Sequence, residues 1–87
     1  MPYIPEADRI KYEPQMTQLK NLLNEKTPTG DLTYLVYVLG LQFFKGRKSY
    51  TNISTAISCL NDAAKELRRR HLNPHEDEKI KENGDII

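Results

Sequence analysis

LTYLVYVLGLQFF, residues 32–44, carries no charge, and ten of its thirteen residues are apolar or aromatic. Asp31 closes it on one side and Lys45 on the other. In a chain of 87 residues with 38% hydrophobic content, burial is concentrated here. Such a run is either a buried strand or a buried helix. Tyr34, Val36 and Val38 favour a strand, whereas the length and four leucines favour a helix. A strand needs a partner, and the chain holds no second strand-like run. The segment therefore reads as a helix over 31–45. Gly40 inside it costs about 1 kcal/mol, a cost tolerated where another helix approaches closely. At ~1.5 Å per residue the run reaches only about two thirds of a ~30 Å bilayer core, which argues against a membrane span.

Upstream, Pro2 and Pro5 favour an extended arm over 1–13, with Tyr3 and Ile4 as anchors and a short helical turn over Ala7–Tyr12. Pro14 suits the first turn of a helix over 14–26, whose Met16, Leu19, Leu22 and Leu23 share one face. Thr27-Pro28-Thr29-Gly30 breaks it. Asp31 follows as a cap or first-turn acid.

Downstream, Lys45-Gly46-Arg47-Lys48 is a basic turn, and Ser49 is a good N-cap for a helix over 49–72. There Ile53, Ile57, Leu60, Ala64 and Leu67 recur at alternating spacings of four and three, a helical seam that Ala56 and Ala63 widen. Two heptads are too few for a free coiled coil, so the seam is expected to pack on the apolar helix. Cys59 reads as a small core residue, and Glu66 with Arg70 as an i,i+4 pair. Asn73-Pro74-His75-Glu76 carries the marks of a new start, giving a polar helix over 74–83 that stops at a left-handed Asn83-Gly84 pair.

The whole chain, 1–87, is thus expected to form one all-α domain. It reads as a small bundle of about four helices, with a central apolar helix, an extended N-terminal arm and a polar C-terminal helix. A net charge of +1 provides no global field for nucleic acid or acidic membranes. One cysteine excludes an internal disulfide and a cysteine-based zinc site. The polar, proline-broken N-terminus does not resemble a signal peptide, so a cytoplasmic location is expected.

Two basic clusters invite an anion. Arg68, Arg69 and Arg70 sit at a helix end, where they suit phosphates or simply complement the helix terminus and nearby acids. Lys45, Arg47 and Lys48, with Tyr50 as a stacking surface, lie ~30 Å away at the other end of that helix. The clusters cannot share a small ligand within one chain; in an antiparallel oligomer they meet. His71 and His75 stand four apart, the spacing for two imidazoles on one helix face, but Pro74 is expected to break the helix between them. No nucleophile elbow, phosphate loop or paired catalytic carboxylates are present. No catalytic residue, metal ligand or cofactor is therefore assigned.

The chain also resembles a family of short uncharacterised proteins from bacteria, archaea and their phages. The resemblance lies in the opening MPYI, Gly30-Asp31-Leu32-Thr33-Tyr34, Ser49-Tyr50, and the ending EDEKIKENGDII behind the arginine run. His75 stands where a tyrosine is expected, and Ile87 where an aromatic is expected. Because the family's domain is one of unknown function, the resemblance implies a compact helical fold and a phage connection, without an activity.

Ten large residues on a thirteen-residue helix exceed what two amphipathic helices and an arm can cover. The excess, including Tyr37, Phe43 and Phe44, is expected at a subunit interface. The leading expectation is a non-enzymatic homo-oligomer, a dimer first, acting as an interaction module, inhibitor or ligand-sequestering protein. Its further partner would be a protein or an anionic small molecule, with no membrane. A nucleotide- or nucleic-acid-binding protein using the two basic clusters comes second. A metal-dependent enzyme using His71, His75 and the nearby acids comes last.

Overall fold

The computed structural model describes residues 3–87; Pro2's part in an extended arm lies outside the described residues. The chain is all-helical, with no strand among the described residues. It runs through α1 (Glu6–Arg9), a 3-10 turn (Ile10–Tyr12), α2 (Glu13–Leu22), α3 (Thr29–Phe44), α4 (Tyr50–Leu67), a π turn (Arg68–Leu72) and α5 (Asn73–Asn83). The backbone stays right-handed helical at the joins between α1 and α2 and between α4 and α5. Three continuous helical rods result, spanning 6–22, 29–44 and 50–83, where the sequence pattern suggests four helices.

The missing break is at Pro74. Proline has no N–H to donate and its ring crowds the carbonyl four residues back, which normally ends or kinks a helix. Here the preceding turn widens, and the Asn73 N–H reaches the Arg68 carbonyl five residues back. That π turn makes room for the ring, and Pro74 sits within the first two positions of α5. Helices 49–72 and 74–83 therefore merge into one rod.

The first rod also differs. It is helical from Glu6 behind an extended Pro5, not from Pro14, because the 3-10 turn lets Pro14 fall at the start of α2. It ends at Leu22 rather than residue 26. The Asn24 N–H donates to Thr27 Oγ1 at 2.9 Å, and Asn24 Oδ1 accepts from the Lys26 N–H at 2.8 Å. This side-chain turn competes with helix for the same backbone groups, and Pro28 pushes the chain before it out of helical geometry.

At the start of α4, Ser49 Oγ accepts from the Asn52 N–H at 3.1 Å. At the end of α5, Gly84 has φ +83° and ψ 150°, and its N–H reaches the Ile80 carbonyl at 2.8 Å. The positive φ was expected, but this ψ places Gly84 in an extended region open essentially to glycine alone, not in the left-handed helical one.

Packing is sparse. α3 lies on α4, and at Gly40 an added Cβ would meet Leu60 Cδ1 at 3.4 Å, the close approach that justifies the glycine. Leu19, Leu22 and Leu23 at the end of the first rod face Tyr34 and Leu35 on α3. Among the described residues only Ala56, 4% exposed, is buried. Cys59 is exposed rather than in a core, because none of the described elements covers its side of α4.

The radius of gyration is 16.7 Å, against about 12 Å for a compact domain of this length. The accessible surface is 8043 Å², against roughly 5,300 Å² for a compact monomer of this mass.

Candidate functional site: an uncovered apolar face

One concavity follows from the meeting of α3 and α4. Tyr37, Leu41 and Phe44 on one side, with Ile53, Ile57 and Leu60 on the other, enclose an apolar groove of about 200 Å³. Gly40 and Ala56, the smallest residues of the contact, form part of the same lining. Spacings of three and four put Tyr37, Leu41 and Phe44 on one face of α3. Tyr37 is 66% exposed, while Phe44 is half-buried.

Phe43 is displaced from that face by its position in the turn. Its ring lies under the Arg47 guanidinium at 4.3 Å, and its carbonyl accepts from Arg47 Nε at 3.2 Å. The structure thus brings Tyr37 and Phe44 together and leaves Phe43 packed on the basic turn.

Beyond the groove the apolar surface continues in two directions. On α3, Leu32, Tyr34 and Leu39 are exposed. On the long rod, Ala64, Leu67 and His71 line one shallow depression together with Arg68, Leu72 and His75. Leu67 is 64% exposed. His71 and His75 therefore share a surface, since the helix is not broken between them. No group of three or more His, Cys, Asp or Glu side chains arranged to hold a metal occurs among the described residues.

The arginine run is divided by local contacts. Arg69 Nε donates to Glu66 Oε1 at 2.8 Å and its Nη2 donates to the same oxygen, holding the Glu66 carboxyl below its ordinary pKa. The pair is Glu66–Arg69, not Glu66–Arg70, because Arg70 has another partner. Its Nη1 donates to the Tyr3 hydroxyl at 2.8 Å, and its guanidinium stands 5.6 Å from the Tyr3 ring centre. Tyr3 thereby anchors the N-terminal segment on the flank of the long rod, beside Ala63 and Glu66.

Lys45, Arg47, Lys48 and the exposed Tyr50 stand at the opposite end of α4, about 27 Å away for its 18 residues. The two basic clusters do not meet within one chain. The Glu66–Arg69 pair follows a helical spacing of three, whereas the Arg70–Tyr3 contact is not legible from spacing; its one signal was Tyr3 as an anchor of the N-terminal arm.

The chain is all-helical, and its exposed apolar surface is gathered into a groove and a stripe. The chain is a member of the family of a domain of unknown function (DUF6899), whose pattern matches residues 1–86. No curated protein and no solved structure matches it. No helix among the described residues is long and apolar enough to cross a membrane.

Proposed function

We propose that this protein is a non-enzymatic homo-oligomeric interaction module, a dimer in its simplest form, whose small bundle is completed by a second copy. One observation carries the reading: α3, the most apolar segment, has no buried residue. The surface in excess of a compact monomer is roughly 2,700 Å² per chain. Obligate dimers bury about 1,000–2,500 Å² or more per partner, so the excess is as large as an obligate interface and well beyond a transient contact. With its apolar surface closed by a copy, the outer face left for other partners is polar and charged. That suits an inhibitor or ligand-sequestering role, a phage-related one included, with a protein or an anionic small molecule as ligand.

Light scattering and native mass spectrometry across a hundredfold dilution test the proposal. The expected result is a mass of twice the chain that falls only at high dilution. A monomer mass at every concentration refutes it.

The second reading, anion or nucleic-acid binding by Lys45, Arg47, Lys48, Tyr50, Arg68, Arg69 and Arg70, has less support. Arg69 and Arg70 are already engaged by Glu66 and Tyr3. Binding of a single-stranded oligonucleotide that weakens steeply with salt would favour it; salt-insensitive binding or none removes it.

A further inference from the structure

The seam on α4 has an internal symmetry. Ile53 and Leu67 lie equally far from Leu60 in the chain, with Ile57 and Ala64 nearly equidistant inside them. Helical spacing puts all five on one side of the rod. The half near Ile53 and Leu60 faces the groove against α3. The half near Ala64 and Leu67, extending to His71, is open.

Resting on the self-association reading above, we propose that two copies pair their long rods antiparallel about a two-fold axis at Leu60. Leu67 of the partner subunit then enters the α3–α4 groove beside Ile53. The open half of each rod is covered by the groove half of the other. Ile57 faces the partner's Ala64, a large side chain against a small one, as close helix packing requires. Leu60 meets Leu60 of the partner subunit on the axis. Tyr37 and Leu41, exposed beside the groove, gain a cover that their own chain does not provide.

The two halves of the seam select this direction over a parallel pair, which sets groove half against groove half and open half against open half. Charge does not distinguish the two, since a parallel two-fold sets each basic cluster against its own copy and the antiparallel one sets the Lys45–Lys48 turn level with the partner's Arg68–Arg70 run. In the antiparallel pair, Tyr50 lies about 15 Å from the axis along the rod. The basic turn beside it therefore falls level with the partner's Arg70, and the acids Glu76, Asp77 and Glu78 of the partner's α5 follow within about two turns, where they offset part of that charge. Arg69 and Arg70 lie on the flank, held by Glu66 and Tyr3. The surface to be covered is also of the right size for an obligate pair.

Cysteine cross-linking in the full chain tests the geometry. With Cys59→Ser as background, Ile53→Cys and Leu67→Cys are made singly and together. The two positions are about 21 Å apart on one rod, so no bridge forms within a chain. The antiparallel pair predicts that the double variant oxidises to a covalent dimer on a non-reducing gel, while each single variant stays a single chain. Leu60→Cys in the same background should cross-link to itself. It serves as the independent check if the double variant loses helicity.

Single variants that cross-link to themselves indicate a parallel pair and overturn the proposal. A wild-type dimer by native mass with neither the double variant nor Leu60→Cys bridged overturns the geometry while leaving self-association standing. A wild-type monomer removes both.

Discussion

Truncating Leu67 to alanine separates the stability of the pair from that of the chain. Leu67 keeps 64% of its surface exposed in a single copy, so its own chain gains little from it. Full burial of a leucine side chain is worth about 1.5–3 kcal/mol, of which about 1–2 kcal/mol remains to be gained when a partner covers the exposed part. Alanine retains only a minor share of that apolar area. A symmetric pair contains the site twice, so the variant should weaken dimerisation by about 2–4 kcal/mol, or roughly 30- to 700-fold in Kd.

The assay is sedimentation equilibrium over a concentration series, with far-ultraviolet circular dichroism at high concentration to confirm that the helices persist. Leu39→Ala, on α3 and away from the groove lining, provides a comparison at another exposed apolar site. A Leu67→Ala dissociation constant within about threefold of wild type would show that this stripe is not the interface. A loss of helicity without any dimer in the parent would show that Leu67 is needed within a single chain, contrary to its exposure.

Three other outcomes follow from local geometry. Ser49→Ala removes the hydroxyl that accepts from the Asn52 N–H and should cost about 1 kcal/mol, read as a lower thermal midpoint; Ser49→Asp should restore most of it. Gly84→Ala forces a side chain into a positive φ of 83°, and the last turn of α5 should fray, seen as faster amide exchange at Ile80–Asn83 while α4 is unchanged. For Glu66 the hydrogen bonds from Arg69 lower its folded-state pKa. The resulting stabilisation is present above the ordinary glutamate pKa of about 4.3 and is lost as pH falls through the lower folded value. A melting series from pH 6 to pH 3 should show this acid loss in the wild type, and a smaller slope in Glu66→Gln. Equal slopes would mean that the pair contributes nothing in solution.

Features legible along the chain are those set by neighbours three and four residues apart. The helical nature of Leu32–Phe44, the Ser49 cap, the seam from Ile53 to Leu67 and the stop at Gly84 all depend on local periodicity or on one backbone group and one side chain. Helix ends and joins were less legible. Pro14 and Pro74 carry a strong local penalty, yet a 3-10 turn before one and a π turn before the other carry the rods onward. Leu22 ends its helix through an Asn24–Thr27 hydrogen-bonded turn that competes with the last helical turn on nearly equal terms.

By itself, then, the amino-acid order determined that the chain is helical and that its apolar residues cluster on α3 and along one stripe of α4. Only the tertiary structure decided which of those residues come together. Tyr37 and Phe44 join Ile53 and Leu60 around Gly40, while Phe43 turns to Arg47 and Cys59 is left in the open. Arg70 lies against Tyr3, a residue at the far end of the chain, and so gives up Glu66 to Arg69. Helical periodicity reports which side of a rod is apolar. The crossing of two rods depends on contacts distant in sequence, and here one glycine against one leucine sets how close they come.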